Sequence, residues 1–264
     1  MHGLLSDSQF WTPLMSHLAH QLPDNVTQIA YDARGHGSSH RPHRNNDTHL
    51  GVLANDLADV IDNSAGAIVL VAHSIGAYVV LEWARYHQRQ LRQRVRDVVL
   101  FAAASEMPEW TALRRLSPPA ATIRWMRRRP VLDSINAAGH AYLSRRLCAM
   151  ASRAKPGRAQ LVPSANPVDP RVTADICTAV TRFSLHPDSE RALSHTSVRL
   201  VTAAFDRVVP PAQTQRLAQR LPDSHLEAVP DAGHSLPLVE PTAAASVIHA
   251  AAVGAMDTAG RAGT

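Results

Sequence analysis

The sequence predicts an α/β protein with a mostly parallel β-sheet and flanking helices. Short apolar runs rich in β-branched residues recur between turn-forming residues, which is typical of strands. These runs are nearly continuous rather than alternating, as expected for strands that are covered on both faces. Helical stretches separate the runs, and such alternation joins parallel strands through right-handed crossovers.

Five segments are predicted as strands, at 26–31, 67–73, 97–104, 198–205 and 224–229. Helices are predicted between them, at 51–61, 77–90 and 211–221. The alternation stops in 105–190, where prolines separate short helical candidates at 110–116, 123–129 and 135–151. We therefore expect a core formed by residues 1–104 and 191–264, with a helical insertion at 105–190.

The composition is that of an ordinary globular protein. Of 264 residues, 45% are hydrophobic and 19% are charged, which excludes extended disorder, collagen and coiled coil. No apolar run approaches the roughly 20 residues of a membrane helix, and the first residues lack the pattern of a signal peptide. We expect a cytoplasmic protein without a membrane span. Cys148 and Cys177 fit neither a disulfide framework nor a metal motif, so no metal is expected.

The basic excess lies in the insertion. The chain has a net charge of +5, and its basic residues are 26 arginines and one lysine. Segment 105–190 holds 13 basic and 7 acidic residues, whereas the rest of the chain has a net charge of −1. The arginines at 114, 115, 124 and 127–129 could form a solvated helix face. They could also attract an anionic acyl group, an acidic carrier protein or a phospholipid headgroup. No basic motif with interleaved aromatic residues is present, so nucleic-acid binding is not expected.

Ser74 is the candidate nucleophile. The apolar strand 67–73 runs into His73-Ser74-Ile75-Gly76, and a predicted helix follows. This is the pattern of a nucleophile elbow, a sharp strand-to-helix turn that exposes a serine hydroxyl. Its neighbours must be small, and Ala72 and Gly76 stand two residues to either side. The N-terminus of the helix also offers N–H groups to an anion.

Candidate partners for the serine follow two later strands. Asp206 comes after strand 198–205, and His234 comes after strand 224–229. Open α/β sheets place their sites at the carboxyl ends of strands. A serine hydroxyl needs a base, and the base needs an orienting carboxylate. The order serine, acid, histidine is the order of the α/β-hydrolase fold.

On these residues the chain resembles the α/β-hydrolase superfamily, in particular capped carboxylesterase-like serine hydrolases. Other matching motifs are His2-Gly3-Leu4, the turn at 31–38, Asp206-Arg207-Val208-Val209-Pro210 and Asp231-Ala232-Gly233-His234. The resemblance implies that Ser74 attacks a carbonyl, that His234 transfers the proton and that Asp206 orients His234. It further implies an oxyanion hole formed by the backbone N–H groups of Leu4 and Ile75, no cofactor, and a cap at 105–190.

Several neighbouring residues have more than one interpretation. Glu106 is an alternative acid, because some members of the superfamily place the acid after that strand. We expect the turn at 31–38 to be braced by Asp32, Arg34 and His36. His73 is expected to pack or to shape the pocket. Asp231 is expected to organise the histidine loop. Met107, Trp110, Trp125 and Met126 could line an apolar pocket or form the core of the cap.

The resemblance also implies that strands 1–3 of the fold are absent from this chain. The His-Gly loop follows the third strand in the family, whereas here only Met1 precedes His2. That strand would lie between 26–31 and 67–73, and neighbouring strands are about 4.8 Å apart. Without it, backbone groups would be left unpaired. We therefore expect a natural protein with an additional N-terminal strand, and weak activity for the chain as it stands.

The expected function is hydrolysis of a small to medium carboxylic ester. A serine nucleophile excludes the haloalkane dehalogenases and epoxide hydrolases of the superfamily, which use aspartate. Thioesterase, C–C bond hydrolase and cofactor-free perhydrolase activities remain alternatives with the same triad. A non-catalytic protein, or an inactive truncated one, is the alternative of a different class.

Overall fold

Four parallel strands form the sheet of the computed structural model, which describes residues 1–40, 48–106, 168 and 170–262. The strands are β1 (Ile68–His73), β2 (Val95–Phe101), β3 (Ser197–Ala203) and β4 (His225–Val229). They pair in sequence order, with Leu70 opposite Val98, Val98 opposite Val198, and Leu200 opposite Leu226. Four of the five predicted strands and their parallel order are therefore confirmed.

Helices connect and cover these strands. A short 3₁₀ helix (Ser8–Trp11) and α1 (Thr12–Leu18) lie near the N-terminus. The others are α2 (Leu50–Asp62), α3 (Ile75–Tyr86), α4 (Gln88–Arg94), α5 (Pro170–Val180), α6 (Pro187–Leu193), α7 (Pro211–Arg220), α8 (Leu236–Val239) and α9 (Pro241–Ala262). The predicted helix 77–90 divides at His87, whose φ of −116° and ψ of 39° are not helical. The predicted helices at 51–61 and 211–221 are confirmed.

The sheet separates two apolar clusters. Successive side chains of a strand point to opposite faces, and in β2 Val98 and Leu100 enter one cluster while Val99 and Phe101 enter the other. The first cluster includes buried residues of α2, α3, α5 and α7. The second includes the 3₁₀ helix, α1 and α9. Because both faces of the central strands are covered, a nearly continuous apolar run is stable in β2 and β3, whereas the edge strand β4 is mostly exposed.

The prediction of a strand at 26–31 is wrong. A strand is defined by backbone hydrogen bonds to a neighbouring strand. Among the described residues, only Met1 makes such bonds to the edge of β1 that faces away from β2. The Met1 ammonium donates to the Val71 carbonyl at 2.5 Å, and the His73 N–H donates to the Met1 carbonyl at 3.1 Å. Segment 26–31 instead packs Ala30 and Tyr31 against the apolar clusters while Ile29 stays exposed.

Most of the predicted insertion lies outside the described residues. This includes the helices expected at 110–116, 123–129 and 135–151 and all of the arginines at 114–129. It also includes Met107, Trp110, Trp125 and Met126. Within the described part, α5 and α6 are helical, and Glu106 forms an isolated antiparallel bridge with Ser184. The expected end at residue 190 falls inside α6, and the domain division stays a prediction. Among the helices the structure describes, none has the length and hydropathy to cross a membrane.

Candidate active site

Ser74 lies in the sharp turn between β1 and α3. Its φ of 53° and ψ of −117° are rarely adopted by a residue with a side chain, so the backbone here is strained. The Ser74 N–H donates to the Phe101 carbonyl at 2.9 Å, and its carbonyl accepts from Ala77 at 2.9 Å. Bonds to β2 and to α3 therefore hold the strained turn in place.

Two glycines let the first residues of the chain pass directly over this turn. A Cβ on Gly76 would lie 2.7 Å from the Met1 carbonyl oxygen and 2.8 Å from that of His2. A Cβ on Gly3 would lie 2.9 Å from Nδ1 of His73 and 3.3 Å from Cβ of Ser74. A side chain at either position would push the His2-Gly3 segment away from the serine.

The structure brings the three predicted triad residues together. His234 Nε2 lies 3.0 Å from Ser74 Oγ, and His234 Nδ1 lies 2.8 Å from Asp206 Oδ2. All three residues are at most 5% exposed. Because a carboxylate only accepts, Nδ1 carries the hydrogen and Nε2 is free to accept the serine proton.

The carboxyl ends of three strands supply these side chains. Ser74 follows β1 directly, Asp206 follows β3, and His234 follows β4. The other oxygen of Asp206 accepts from the N–H groups of Val208 and Val209, each at 2.8 Å. This turn holds the carboxylate toward the histidine. Asp231 turns the histidine loop with a φ of 59°, which agrees with its expected organising role.

Glu106 does not take the place of the acid in this arrangement. It is exposed, and its backbone bridges Ser184 in the segment before α6. The carboxylate that contacts His234 is that of Asp206.

The backbone N–H groups of Leu4 and Ile75 are the expected donors of an oxyanion hole, which stays a prediction. Ile75 opens α3, where helix amides lack intrahelical partners. Within the described part of the chain, neither the Leu4 N–H nor the Ile75 N–H donates a hydrogen bond. The residue after Leu4 is also unusual, because Leu5 is buried with a φ of 60°. This strain redirects the chain immediately after the expected oxyanion donor.

The His2 side chain joins the first loop to the loop that begins at Tyr31. Its Nε2 accepts from the Ala33 N–H at 2.9 Å, and its Nδ1 lies 2.8 Å from the Gly3 carbonyl. Nδ1 therefore carries the hydrogen, and the ring is neutral. Burial, with a smaller contribution from His36, lowers the pKa of His2 to about 3.

Bracing of the 31–38 loop by Asp32 and Arg34 agrees with the sequence interpretation. Asp32 accepts from the N–H groups of Ser8 at 2.7 Å and Ser38 at 2.8 Å. Burial alone would raise the pKa of Asp32, but these bonds hold it well below its usual range. Arg34 makes a two-point ion pair with Asp56 at 2.5 and 2.9 Å. None of these bonds reaches Ser74 or His234, so they support the site indirectly.

His36 also takes part in this bracing, since its Nδ1 lies 3.1 Å from the Arg34 carbonyl. The rings of His36 and His2 are tilted against each other, with 5.1 Å between the ring centroids. The His2–His36 pair therefore links the two loops that lie beside the elbow.

His73 has a contact that sequence reasoning missed. Packing was expected for it, and its ring does stack on Phe10 with 4.8 Å between centroids. However, its Nε2 also lies 2.7 Å from the backbone carbonyl of His234. No sequence signal could indicate this contact, because it joins positions 161 residues apart through the sheet.

No group of three histidine, cysteine or acidic side chains suited to a metal ion occurs among the residues that the structure describes.

The chain belongs to the alpha/beta hydrolase family, whose sequence profile it matches over residues 1–247. It is similar in structure to a thermophilic esterase from Thermogutta terrifontis, with a TM-score of 0.66 and 22% identity, covering 94% of this chain and 85% of that one. An enol-lactonase from Burkholderia xenovorans LB400 superposes with a TM-score of 0.65 and 18% identity over 95% and 88% of the two chains. At these identities the likeness shows the fold alone.

A stronger sequence match covers a shorter segment. The chain is 41% identical over 81 residues to 2-(acetamidomethylene)succinate hydrolase from Mesorhizobium japonicum. That match spans 29% of this chain and 26% of the relative, so about a quarter of the relative's length is covered. A structure of E-2-(acetamidomethylene)succinate hydrolase superposes with a TM-score of 0.65 and 24% identity, over 94% of this chain and 87% of that one.

Proposed function

We propose that this protein is a serine hydrolase that cleaves carboxylic esters through an acyl-Ser74 intermediate. The observation that carries the proposal is the position of His234, whose two ring nitrogens contact the serine hydroxyl and a buried carboxylate. A hydroxyl is a weak nucleophile at neutral pH unless an adjacent base takes its proton. This arrangement supplies that base in the correct tautomer.

In the proposed reaction, Ser74 Oγ attacks the ester carbonyl as its proton passes to His234 Nε2. The carbonyl becomes a tetrahedral oxyanion, and the N–H groups of Leu4 and Ile75 donate to it. Collapse breaks the bond to the alkoxy group, which leaves as an alcohol with the proton from His234. Water then attacks the acyl group, His234 accepts the water proton and returns it to Ser74, and a carboxylic acid is released.

Asp206 has an electrostatic role in this proposal. It keeps the hydrogen of His234 on Nδ1 and stabilises the imidazolium that forms during each proton transfer. Its own remaining oxygen is held by two backbone N–H groups, so it does not need to move during the reaction. The site is built before substrate binds, which is the condition for electrostatic stabilisation of the transition state.

The proposed substrate is a small-molecule ester with a small to medium acyl group. The net charge of +6 in segment 105–190 favours an anionic or carrier-linked substrate, because positive charge attracts acidic molecules. Thioesterase, C–C bond hydrolase and perhydrolase reactions would use the same nucleophile and base.

A second candidate is hydrolysis of an acetamido-substituted dicarboxylate. The 41% identical segment shared with 2-(acetamidomethylene)succinate hydrolase favours it. It also agrees with a basic insertion, because a succinate carries two carboxylates. Direct assay of 2-(acetamidomethylene)succinate separates this candidate from simple ester hydrolysis.

Hydrolysis of p-nitrophenyl esters of increasing acyl length tests the main proposal. We expect turnover by the wild-type protein and a fall in kcat/KM of at least about 10³-fold in Ser74→Ala. Ser197→Ala is a matched control, because Ser197 opens β3 at the opposite end of the sheet, and it should retain activity. A folded wild-type protein with no turnover of any ester, and no labelling by a fluorophosphonate, would favour the non-catalytic alternative.

A further inference from the structure

The His73 side chain touches three parts of the candidate site at once. It is buried, and its ring stacks on Phe10 of the 3₁₀ helix with an interplanar angle of 21°. Its Nδ1 lies against Gly3, where an added Cβ would come within 2.9 Å. Its Nε2 lies 2.7 Å from the carbonyl oxygen of His234. One imidazole therefore joins the nucleophile strand, the first loop and the histidine loop.

The contact with His234 fixes the protonation of His73. A carbonyl oxygen only accepts, so Nε2 of His73 carries the hydrogen and donates it. Burial, together with the neighbouring His234, holds the pKa of His73 well below its usual range. The ring is therefore neutral, as its position requires: its centroid is 4.8 Å from that of His234. A positive charge there would oppose protonation of His234.

The side-chain bonds of His234 do not by themselves fix its backbone. Both go to groups on other loops, while the orientation of its Cα–Cβ bond is set by the main chain. In the described part of the chain, the hydrogen bond to the His234 carbonyl comes from His73. A small rotation at this carbonyl would move Nε2 relative to the serine, and misplacement by about 1 Å can cost about 10²-fold in rate.

We propose that His73 is a positioning residue: its neutral imidazole donates Nε2–H to the main-chain carbonyl of His234 and so holds that ring in reach of Ser74. Because His73 immediately precedes the nucleophile, one short stretch of β1 sets both the serine and the backbone of its base. This inference rests on the proposed serine-hydrolase function.

The test uses variants that separate the donor from the packing. His73→Phe keeps an aromatic ring on Phe10 but removes the donor. His73→Gln restores an amide nitrogen at about the place of Nε2, whereas the shorter His73→Asn does not reach the carbonyl. Trp83→Phe is the matched control, because it removes a buried ring N–H that donates to Gln90 at 2.7 Å. Trp83 lies nine residues along α3 from the serine, or about 13 Å at 1.5 Å per residue.

The readout is inactivation by a fluorophosphonate, which needs the serine and its base but no knowledge of the natural substrate. We expect His73→Phe to lower the maximal inactivation rate by about 10–100-fold. The concentration at half-maximal rate should change by less than about threefold, because ground-state binding is unaffected. His73→Gln should recover most of the rate and His73→Asn should not. Trp83→Phe should react as the wild type does, even if its melting temperature falls.

Two results would overturn the inference. One is a folded His73→Phe that reacts within about threefold of wild type. The other is equal loss in His73→Gln and His73→Asn, which would show that packing alone matters, and this comparison holds even if His73→Phe fails to fold. Failure of the proposed function is distinct, because the wild-type protein itself would then not react.

Discussion

At the scale of single residues, the site depends on a few side chains held in demanding geometry. Ser74 is strained, and His234 beside it has a hydrogen-bond partner at each ring nitrogen and at its carbonyl. Strain at such a position persists only when surrounding bonds enforce it. The contact among Ser74, His234 and Asp206 could be predicted from sequence because each residue closely follows a recognisable strand. The His73 contact could not, because it depends on how two distant loops meet.

Replacement of Asp206 by asparagine tests the acid at this scale. The amide oxygen of the introduced side chain can still accept from the N–H groups of Val208 and Val209, so the fold should survive. The amide cannot stabilise an imidazolium, and it favours the wrong tautomer of His234. We expect kcat of Asp206→Asn to fall by about 10³–10⁴-fold, by analogy with serine proteases.

Glu106→Gln is the matched comparison for Asp206→Asn, measured with the same ester. It should leave kcat near the wild-type value, because Glu106 is exposed and does not contact His234. If kcat instead falls strongly in Glu106→Gln and stays near the wild-type value in Asp206→Asn, the acid is Glu106.

The buried histidine at position 2 predicts a pH dependence of stability. Its pKa is about 3 in the folded protein, against 6.5 for an unperturbed histidine, so the unfolded chain binds the proton more readily. Stability contributed by the neutral form is therefore lost as pH falls below about 6.5, with a slope of up to about 1.4 kcal/mol per pH unit. Urea unfolding between pH 4 and 7 measures this slope, and His2→Gln should reduce it. If the slope is the same in His2→Gln and in the wild type, His2 is not buried as a neutral ring.

At the scale of elements, the sheet explains why four strands were predicted correctly and why the strand predicted at 26–31 was not found. Strands β1 to β3 could be located because burial in the sheet leaves a local signal, a continuous apolar run, whereas β4 is an edge strand that is exposed at four of its five residues. Segment 26–31 carries the same signal but forms no ladder, because pairing depends on a neighbour that local sequence does not reveal. Helix α9 was missed for another reason. Its many alanines give little contrast between an apolar and a polar face.

The contact between the N-terminal segment and α3 gives a prediction at this scale. In Gly76→Ala the new methyl group would meet the carbonyl oxygens of Met1 and His2. We expect destabilisation by about 1–3 kcal/mol, the usual cost of overpacking. Activity should fall as well, because the displaced segment carries the Leu4 N–H.

Gly254→Ala is the control for that substitution. It lies in helix α9 with open space around its Cβ, and it should be neutral or stabilising. Denaturant unfolding and ester hydrolysis measure both effects. Equal stability and activity in Gly76→Ala and wild type would contradict the close approach of the N-terminal segment.

At the scale of the whole molecule, charge is unevenly divided. Segment 105–190, the predicted insertion, carries +6, while the remainder is nearly neutral at −1. The division could be read from sequence alone, because it needs only residue counts. The route by which the proposed substrate reaches Ser74 could not, because residue counts carry no information on three-dimensional arrangement.

Salt dependence tests whether that charge attracts substrate. Exposed charges are screened over about 10 Å at 0.1 M ionic strength. We expect kcat/KM for a succinate half-ester to fall several-fold between low and high salt, while a neutral ester of equal length changes little. Replacing the arginines at 127–129 by glutamine should remove most of the difference. Equal salt dependence for the two esters would show that the basic residues form only a solvated face.

The central claim is that Ser74, activated by His234, is the nucleophile of a hydrolase. The most direct measurement is peptide mass spectrometry after reaction with a fluorophosphonate, because the phosphonylated serine is not turned over. We predict one adduct per chain, on the peptide that contains Ser74, and its loss in both Ser74→Ala and His234→Ala. A folded protein that takes up no probe, or that takes it up at another residue, would contradict the account.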